Sequence, residues 1–374
     1  MKVKFKSDNV LNCLQAVSQV INKKNSLPIL DCARFTIGDN KMYVTGSDTD
    51  SQLTVCTDII ESSESFTTCI QASQLTNILS KLGEKVVEFD INNNEIVARY
   101  EGGKFTMMCE NADEYPNMDN LNTECHTSEV NNAQHIYNAI NATICAMGDD
   151  MLRPVMAGVY FDYTQESLTT VATDGRILVK FIDNEVSGGL PIGFILPRKP
   201  ANVLRNLLIK NEEKLTISYD DHSIKFACES FLFTCRMIDG RYPNYNSVIP
   251  KETKEVAYVD RKRLIDVISR MMVFTSTWEQ IIMSFTSKKL KVSAQNIDFS
   301  MSSEEELPIA FEGGDIRISF KGSFLDTILR NIRTNDVQFN MIDSSRACVI
   351  NPFTTDGGED STTMVSLIMP MMID

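Results

Sequence analysis

The feature that most constrains the fold is an internal repeat of about 125 residues. The segments "ILSKL" at 78–82, "VLRNL" at 203–207 and "ILRNI" at 328–332 follow one another at spacings of 125 residues. Their apolar residues stand at positions i, i+1 and i+4, which lie on one face of a helix. Because a fixed period of this kind is typical of repeated structural units, the sequence predicts three copies of one domain.

A second series of helices precedes the first in each copy. Its members are "VLNCL" at 10–14, "IYNAI" at 136–140 and "LIDVI" at 264–268, spaced by 126 and 128 residues. Alternating runs that are typical of strands follow the helices, for example "EIVARY" at 95–100. Turn residues such as "NNN" at 92–94 separate these runs. Each domain is therefore predicted to contain two units of one helix and about three strands.

The junctions between the copies also repeat. Tyr-Pro-Asn occurs at 115–117 and again 127 residues later at 242–244. Proline ends a strand and favours an extended connector. A chain of 374 residues suits two or three domains. We therefore predict three repeated domains with boundaries at 1–121, 122–250 and 251–374.

The composition and the motifs that are missing exclude several kinds of function. The basic N-terminus is not followed by the apolar stretch that a signal peptide contains, and no apolar run reaches the length of a membrane span. Ten scattered cysteines without a CxxC pair predict reduced thiols. The three histidines lack ligand spacing, and no P-loop is present. We expect a cytoplasmic protein that binds no membrane, metal or other cofactor and hydrolyses no nucleotide.

An aspartate in "TVATDGRILV" at 170–179 raises the question of catalysis. Asp174 lies 126 residues after Asp48, and Asn296 stands near the same place in the third copy. Aspartate and asparagine share turn chemistry, whereas asparagine cannot act as a catalytic base. The repeat therefore predicts a turn residue. The alternative is a metal-dependent nuclease or transferase that uses Asp48, Asp50 and Asp174, although the repeat places these residues in different domains.

Positive charge is concentrated in the predicted helices. The chain has a net charge of −14, yet the six helical ranges 8–24, 72–85, 131–147, 198–214, 260–272 and 321–333 contain 16 basic and 7 acidic residues. Helices on one side of antiparallel sheets would share a basic face that contacts phosphates without reading bases. Lysine and arginine also favour helices and their last turns in general, which is the alternative explanation.

The number of helices bears on the assembly. Six helices packed at about 10 Å in a closed circle leave a hole of about 9 Å, whereas twelve leave about 28 Å, enough for a duplex about 20 Å wide. Two copies joined head to tail would supply twelve helices, and closed symmetry favours such a dimer.

At this point the sequence resembles a known family. The points of resemblance are "SLPIL" (26–30), "TVATDGR" (170–176), "LPRK" (196–199), "RMIDGRYPNY" (236–245) with "VIP" (248–250), and "IMPMM" (368–372). Over essentially the whole chain it is similar to the bacterial sliding clamps, the beta subunits of DNA polymerase III. The resemblance implies an α+β fold of three clamp domains, with helices lining a ring and antiparallel sheets outside.

The resemblance also implies a function and partners. A clamp of this family is a non-catalytic processivity factor that encircles duplex DNA as a homodimer, is opened by a clamp-loader ATPase, and tethers DNA polymerase and other proteins with a clamp-binding motif. A clamp-shaped scaffold that does not encircle DNA is the remaining alternative. At position 177 the family usually has a basic residue and at 372 an arginine, where this chain has Ile177 and Met372.

The site residues that the resemblance implies fall into three groups. The partner-peptide pocket would comprise Met156, Thr173, Gly175, Arg176, Leu178, Pro243, Val248, Leu367, Met369, Pro370 and Met371. The DNA-binding residues would be Lys23, Lys24, Lys81, Arg153, Arg198, Lys199, Arg205 and Lys210. The dimer interface would use Phe105 on one edge and Met272 and Val273 on the other. From composition alone, the methionine-rich C-terminus equally suits a core edge strand, and Met272 and Val273 equally suit the core of their own domain.

Overall fold

The six predicted helices are present in the computed structural model. It describes residues 1–22, 24–25, 27–92, 94–118, 121, 125–150, 152–186, 192–354 and 361–373. The helices are α1 (Ser7–Val17), α2 (Ala72–Leu82), α3 (Gln134–Thr143), α4 (Arg198–Leu207), α5 (Arg261–Met271) and α6 (Gly322–Asn331). The prediction of two helices in each copy is confirmed.

Strands fill most of the chain between the helices. The first copy contains β1 (Lys2–Lys6), β2 (Cys32–Gly38), β3 (Lys41–Ser47), β4 (Ser51–Asp58), β5 (Glu61–Ser62), β6 (Phe66–Gln71), β7 (Val86–Asn92), β8 (Glu95–Tyr100) and β9 (Gly103–Met108). The second contains β10 (His126–Val130), β11 (Gly158–Tyr163), β12 (Leu168–Thr173), β13 (Ile177–Asp183), β14 (Ile192–Pro197), β15 (Leu215–Tyr219), β16 (Ser223–Ala227) and β17 (Phe231–Arg236). The third contains β18 (Glu255–Asp260), β19 (Gln280–Thr286), β20 (Lys289–Asn296), β21 (Met301–Pro308), β22 (Ala310–Glu312), β23 (Ile316–Lys321), β24 (Asp336–Met341), β25 (Cys348–Phe353) and β26 (Thr362–Ile368).

The chain divides into two compact units. Unit 1 comprises residues 1–134 and 199–237. Its two sheets have the strand orders β5-β1-β7-β8-β9 and β10-β15-β16-β17-β4-β3-β2-β6. The antiparallel pair β4–β17, which sets Phe231 opposite Val55, joins strands of the first and second copies. A continuous sheet therefore crosses the boundary between these two copies.

Unit 2 comprises residues 135–198 and 238–374. Its sheets have the orders β14-β11-β12-β13-β26-β25-β24-β18-β22 and β21-β20-β19-β23. The antiparallel pair β13–β26 runs from Ile177 opposite Ile368 to Asp183 opposite Thr362. Because β13 belongs to the second copy and β26 to the third, this sheet brings the "TDGR" segment beside the C-terminus.

The helices bury the face that the repeated apolar pattern predicts. In α5, Leu264, Ile265 and Ile268 are buried, and in α6, Ile328 and Leu329 are buried. The helices α5 and α6 pack against each other in unit 2, as α1 and α2 do in unit 1. Burial of one such apolar stripe is what holds short helices on a sheet.

The fold class is confirmed as α+β, with helices packed on antiparallel sheets in a pattern that repeats along the chain. The helices are shorter than the ranges used for the charge count, and Lys210, with φ of +55°, lies beyond the end of α4. The six observed helices still contain nine basic and three acidic residues. Among the described residues no helix has the length and apolarity needed to span a bilayer. All ten cysteines are free thiols.

Candidate functional site

The "TDGR" segment forms the turn between β12 and β13. Asp174 Oδ1 accepts hydrogen bonds from the backbone N–H groups of Arg176 and Ile177, each at 2.7 Å. Thr173 Oγ1 donates to the Ile177 carbonyl at 2.7 Å and accepts from the Gly175 N–H at 3.0 Å. Gly175 has φ of +88°, which side chains with a Cβ rarely adopt. The prediction that Asp174 is a turn residue is confirmed.

An apolar cluster lies in the sheet beside this turn. Leu178 and Leu367 are opposite each other in the β13–β26 pair, and both are buried. The ring of Tyr242 stacks on that of Tyr160 with centroids 4.7 Å apart, and its hydroxyl donates to the Val171 carbonyl at 3.4 Å. Burial raises the pKa of the Tyr242 hydroxyl, so it remains a neutral donor. The cluster comprises Val171, Leu178, Ile195, Tyr242, Tyr245, Ala347 and Leu367, with Val155, Tyr160, Ile238 and Ile249 against it.

The C-terminal segment is fixed across the end of this sheet by backbone hydrogen bonds. The Met369 N–H donates to the Arg176 carbonyl at 2.8 Å, and the Met371 N–H donates to the Ser319 carbonyl at 2.8 Å. Ser319 Oγ donates to the Met371 carbonyl at 2.9 Å, and Gln280 Nε2 donates to the Met372 carbonyl at 2.7 Å. The methionine backbone is therefore held in place while its side chains remain accessible.

An apolar cavity of about 480 Å³ opens beside the C-terminal segment. Trp278 is 73% exposed, Met369 43% and Met372 91%, so large apolar side chains face solvent here. Two cations border the cavity: Arg176, and Lys321, whose ammonium lies 4.9 Å from the Phe324 ring centroid. The cavity is lined by Arg176, Thr277, Trp278, Lys321, Phe324, Met369, Pro370, Met371 and Met372. We call it the methionine cavity.

A polar cavity of about 620 Å³ shares Arg176 and Phe324 with the methionine cavity. Its wall includes residues 147–150 and Arg153. Asp150 accepts hydrogen bonds at 2.9 Å from the Leu152 N–H and from Arg153 Nε. The Leu152 N–H and the Arg153 guanidinium hold the pKa of the Asp150 carboxyl below its usual value. The Asp150 carboxylate therefore stays ionised at neutral pH in this wall of the cavity.

The aspartates of the alternative metal hypothesis make other contacts. Asp48 Oδ1 accepts from the backbone N–H groups of Asp50 and Ser51, and Asp48 Oδ2 contacts the ammonium of Lys199 at 2.5 Å. Asp48 and Asp50 belong to unit 1, whereas Asp174 belongs to unit 2. Across the described ranges, no group of three or more histidine, cysteine, aspartate or glutamate residues is arranged to hold a metal ion.

Comparison with known proteins places the chain in a family. Three family models of the DNA polymerase III beta subunit match the chain. The model of the N-terminal domain matches residues 1–119, that of the central domain residues 130–244 and that of the C-terminal domain residues 246–372. The chain belongs to the DNA polymerase III beta subunit family. The resemblance inferred from the sequence motifs is thereby confirmed.

Relatives in this family are named beta sliding clamps. Those of Haemophilus influenzae and Escherichia coli are 26% and 24% identical to the chain, with 100% of both chains covered. The Bacillus subtilis protein is 23% identical, with 99% of each covered. The sliding-clamp function predicted from the sequence is confirmed at this level, and neither alternative function finds support among these relatives.

Solved structures show the same fold over the whole chain. The DNA polymerase III beta subunit of Thermotoga maritima superimposes with a TM-score of 0.90 at 22% identity, with 100% of each chain covered. A sliding clamp from Pseudomonas aeruginosa bound to griselimycin superimposes with a TM-score of 0.93 at 22% identity and the same coverage.

The residues predicted for the peptide pocket all lie in unit 2. Leu178 and Leu367 belong to the apolar cluster, and Arg176, Met369, Pro370 and Met371 line the methionine cavity. Thr173 and Gly175 form the turn. Met156 and Pro243 are half-buried, and Val248 is 54% exposed.

Sequence reasoning missed several residues of this site. Trp278, Lys321, Phe324 and Met372 line the methionine cavity but were not predicted. One signal was available for Trp278, because it is the only tryptophan and stands in the polar stretch "TSTWEQ". Tyr242 was also missed, although it belongs to the repeated Tyr-Pro-Asn junction.

The residues predicted to bind DNA differ in their surroundings. Lys23 lies outside the described residues. Exposed positions are occupied by Lys24, Lys81 and Lys210, whereas Arg205 is half-buried. Arg153 pairs with Asp150, as described above. The remaining two, Arg198 and Lys199, are engaged in several contacts with protein atoms.

The residues predicted for the dimer interface lie at or near strand edges. Phe105 is half-buried on β9, which is the last strand of its sheet. Val273 is 70% exposed, which disagrees with a place in its own core. Met272 is half-buried, and a Cβ added at Gly322 would lie 2.2 Å from its sulfur, so Met272 packs within its own unit.

Proposed function

We propose that this chain is a non-catalytic DNA sliding clamp: two copies close head to tail around duplex DNA, and each tethers DNA polymerase or another protein with a clamp-binding motif through the methionine cavity. The observation that carries the tethering function is the exposure of Trp278, Met369 and Met372 around one cavity. Exposed apolar side chains gathered in this way mark interaction sites.

The cavity favours a peptide of particular chemistry. Methionine side chains are flexible and polarizable, so they adapt to several apolar or aromatic partners. Within the described residues the Arg176 guanidinium has no ionic partner, whereas Lys321 lies 3.8 Å from Glu279. A carboxylate on the peptide would therefore gain from Arg176 at the cavity rim. We propose a peptide with an aliphatic–aromatic pair next to an acidic residue.

Two strand edges support the head-to-tail ring. The edge strand β9 has six residues in unit 1, and the edge strand β21 has eight in unit 2. An exposed edge is a template for pairing with another chain. Glu304, Glu305 and Glu306 of β21 already pair with basic residues of the same chain, so apolar contacts such as Phe105 to Val273 would supply most of the attraction.

The DNA contact in this proposal is electrostatic. The helices have a surplus of basic residues on a chain whose net charge is −14. Lys24, Lys81 and Lys210 would contact phosphates, which gives binding without sequence preference. A closed ring needs a clamp-loader ATPase to open it, and a protein of this function works in the cytoplasm, where the chromosome is replicated.

The single tryptophan offers a direct test of the peptide site. Trp278 lines the methionine cavity, so a bound peptide would shield it from water and shift its fluorescence to shorter wavelength. We expect saturable binding of a short synthetic peptide that contains leucine, phenylalanine and one aspartate. The same peptide with alanine in place of phenylalanine is the control and should bind at least tenfold more weakly.

A constant Trp278 spectrum at saturating peptide, together with no heat of binding by calorimetry, would contradict the peptide site. The Met372→Ser variant sharpens the test. Because Met372 is 91% exposed, its replacement should leave the fold intact while it weakens peptide binding.

The ring is tested by retention on DNA at high salt after loading by the clamp-loader ATPase. Salt weakens phosphate contacts steeply but does not open a closed ring. We expect retention on circular DNA and loss from the ends of linear DNA. Equal loss from both would instead indicate electrostatic binding alone and would favour the scaffold alternative.

A further inference from the structure

The ammonium of Lys199 has no donor left for a phosphate. It donates to the Val20 carbonyl, to Asn22 Oδ1 at 2.7 Å and to Asp48 Oδ2 at 2.5 Å. All four residues belong to unit 1. Because an ammonium has three N–H donors, these three acceptors use all of them. A phosphate contact from Lys199 would require one of these bonds to break.

The carboxylate partner of Lys199 is itself fixed. Asp48 is 5% exposed, and its Oδ1 accepts from the Asp50 N–H at 2.8 Å, the Ser51 N–H at 2.6 Å and Ser51 Oγ at 3.0 Å. A carboxylate that is buried and bonded in this way holds a cation more firmly than an exposed pair does. Asp48 therefore anchors the Lys199 side chain to the turn between β3 and β4.

The segment that Lys199 holds leads directly to a residue predicted to bind DNA. Val20 and Asn22 follow α1 and precede Lys24. A second residue of α4 contacts the same region, since Asn206 Nδ2 donates to Gln19 Oε1 at 2.8 Å. The start of the loop is thus fastened to α4, while the exposed Lys24 side chain has no hydrogen bond or ion pair to other described residues.

We propose that Lys199 is a positioning residue that fixes the loop after α1, so that Lys24, rather than Lys199, contacts a DNA phosphate. The proposal rests on the DNA contact in the proposed function. It separates two lysines that sequence reasoning had placed in one class: one provides charge to the ligand, and the other shapes the loop that presents it.

Arg198, the preceding residue, makes the same kind of contact in unit 2. Its guanidinium donates to the carbonyls of Met147 at 2.9 Å and Gly148 at 3.1 Å and pairs with Asp149 at 2.7 Å. This loop leads to Arg153, another residue predicted to bind DNA. Arg198 therefore fixes residues 147–149 in the way that Lys199 fixes the segment after α1.

A double-mutant cycle tests the proposal. The affinity of the full-length protein for a fluorescent duplex oligonucleotide is measured over a range of salt concentrations for Lys24→Met, Lys199→Met and the double variant. We expect Lys24→Met to weaken binding about five- to tenfold at roughly 0.1 M salt and to lower the salt slope by about 0.9. Lys199→Met should weaken binding by a similar factor, and the double variant should bind like Lys24→Met alone.

The control for additivity is Lys210→Met. Lys210 is exposed and has no side-chain partner in the described part of the chain. The factors by which Lys210→Met and Lys24→Met weaken DNA binding should therefore multiply in the double variant. Since Lys199→Met leaves the buried Asp48 carboxylate without its cation, the cycle is repeated with Lys199→Met/Asp48→Asn. Circular dichroism of each variant checks that it is folded.

Independent, multiplying losses for Lys24→Met and Lys199→Met would show that Lys199 contacts a phosphate itself and would overturn the proposal. Wild-type affinity in a folded Lys199→Met variant would overturn it as well. If Lys24→Met had no effect, the DNA contact of the proposed function would fail at this loop, and the proposal would fail with it. A parallel cycle with Arg198→Met and Arg153→Met should show the same lack of additivity.

Discussion

Two turns at equivalent places in the repeat, residues 48–51 and residues 174–177, have the same internal hydrogen bonds. In each, the backbone N–H of the aspartate donates to the carbonyl three residues later, at 2.9 Å for Asp48 and 3.3 Å for Asp174. In each, the aspartate Oδ1 accepts from the N–H groups two and three residues later. We call these the first turn and the second turn.

Their surroundings differ. In the first turn Asp48 is buried and pairs with Lys199, so the turn is an anchor inside unit 1. In the second turn Asp174 is half-buried, and the next two residues are Gly175 and the exposed Arg176, which lines the methionine cavity. The aspartate turn is therefore structural in both places, and the neighbouring side chains decide whether it supports the fold or a binding site.

The largest expected effect is the loss of Asp48. Asp48→Ala removes the acceptor of two backbone N–H groups and the buried partner of Lys199, so we expect a loss of about 3 kcal/mol in the free energy of unfolding. Asp174→Ala also removes the acceptor of two backbone N–H groups, but Asp174 is only half-buried and holds no buried cation, so we expect a loss of about 1 kcal/mol. Urea unfolding followed by circular dichroism measures both. Equal losses of unfolding free energy in the two variants would contradict the conclusion that the first turn anchors the fold while the second supports a binding site.

A smaller effect is expected from the residue after each aspartate. Gly175 has φ of +88°, and a Cβ there would lie 3.0 Å from Arg153 Nη1, so Gly175→Ala should cost about 1–2 kcal/mol. Thr49, at the equivalent place in the first turn, is exposed and has no positive φ. Thr49→Ala should therefore change stability by less than about 0.5 kcal/mol. A Gly175→Ala variant as stable as Thr49→Ala would mean that the second turn relaxes to accept a Cβ.

Much of the fold could be predicted from the sequence because its signals are local and repeated. Six apolar helix patterns at fixed spacing predicted six helices, and shared turn chemistry predicted the role of Asp174 without any structure. The same turn occurs again at Asp220, whose Oδ1 accepts from the His222 and Ser223 N–H groups. The motif therefore predicts a turn wherever it occurs but does not by itself predict a site.

The rest of the site depends on pairing between distant segments. The methionine cavity exists because β13 pairs with β26 and because Met371 bonds to Ser319 across the end of another sheet. No local pattern places Trp278 or Phe324 beside the C-terminus. A charge count cannot register such pairing either: it includes Lys199 as one basic residue, whereas the structure bonds its ammonium to three acceptors on two distant segments.

The smallest effect on stability is expected at the third position of each turn, where the two copies have opposite charges: Asp50 in the first and Arg176 in the second. Asp50 is 69% exposed and lies 3.9 Å from Arg236, so Asp50→Asn should change stability by less than about 0.5 kcal/mol. Arg176→Gln should be equally mild because the guanidinium is exposed. Only Arg176→Gln should weaken binding of the aspartate-containing peptide to the methionine cavity, by about three- to tenfold in Trp278 fluorescence titrations.

This difference in peptide affinity between the wild type and Arg176→Gln should shrink in high salt and vanish for a peptide with asparagine in place of aspartate, because both changes remove the charge attraction. If Arg176→Gln weakened binding of both peptides equally, Arg176 would act through its apolar stem, and the two turns would differ in shape rather than in charge.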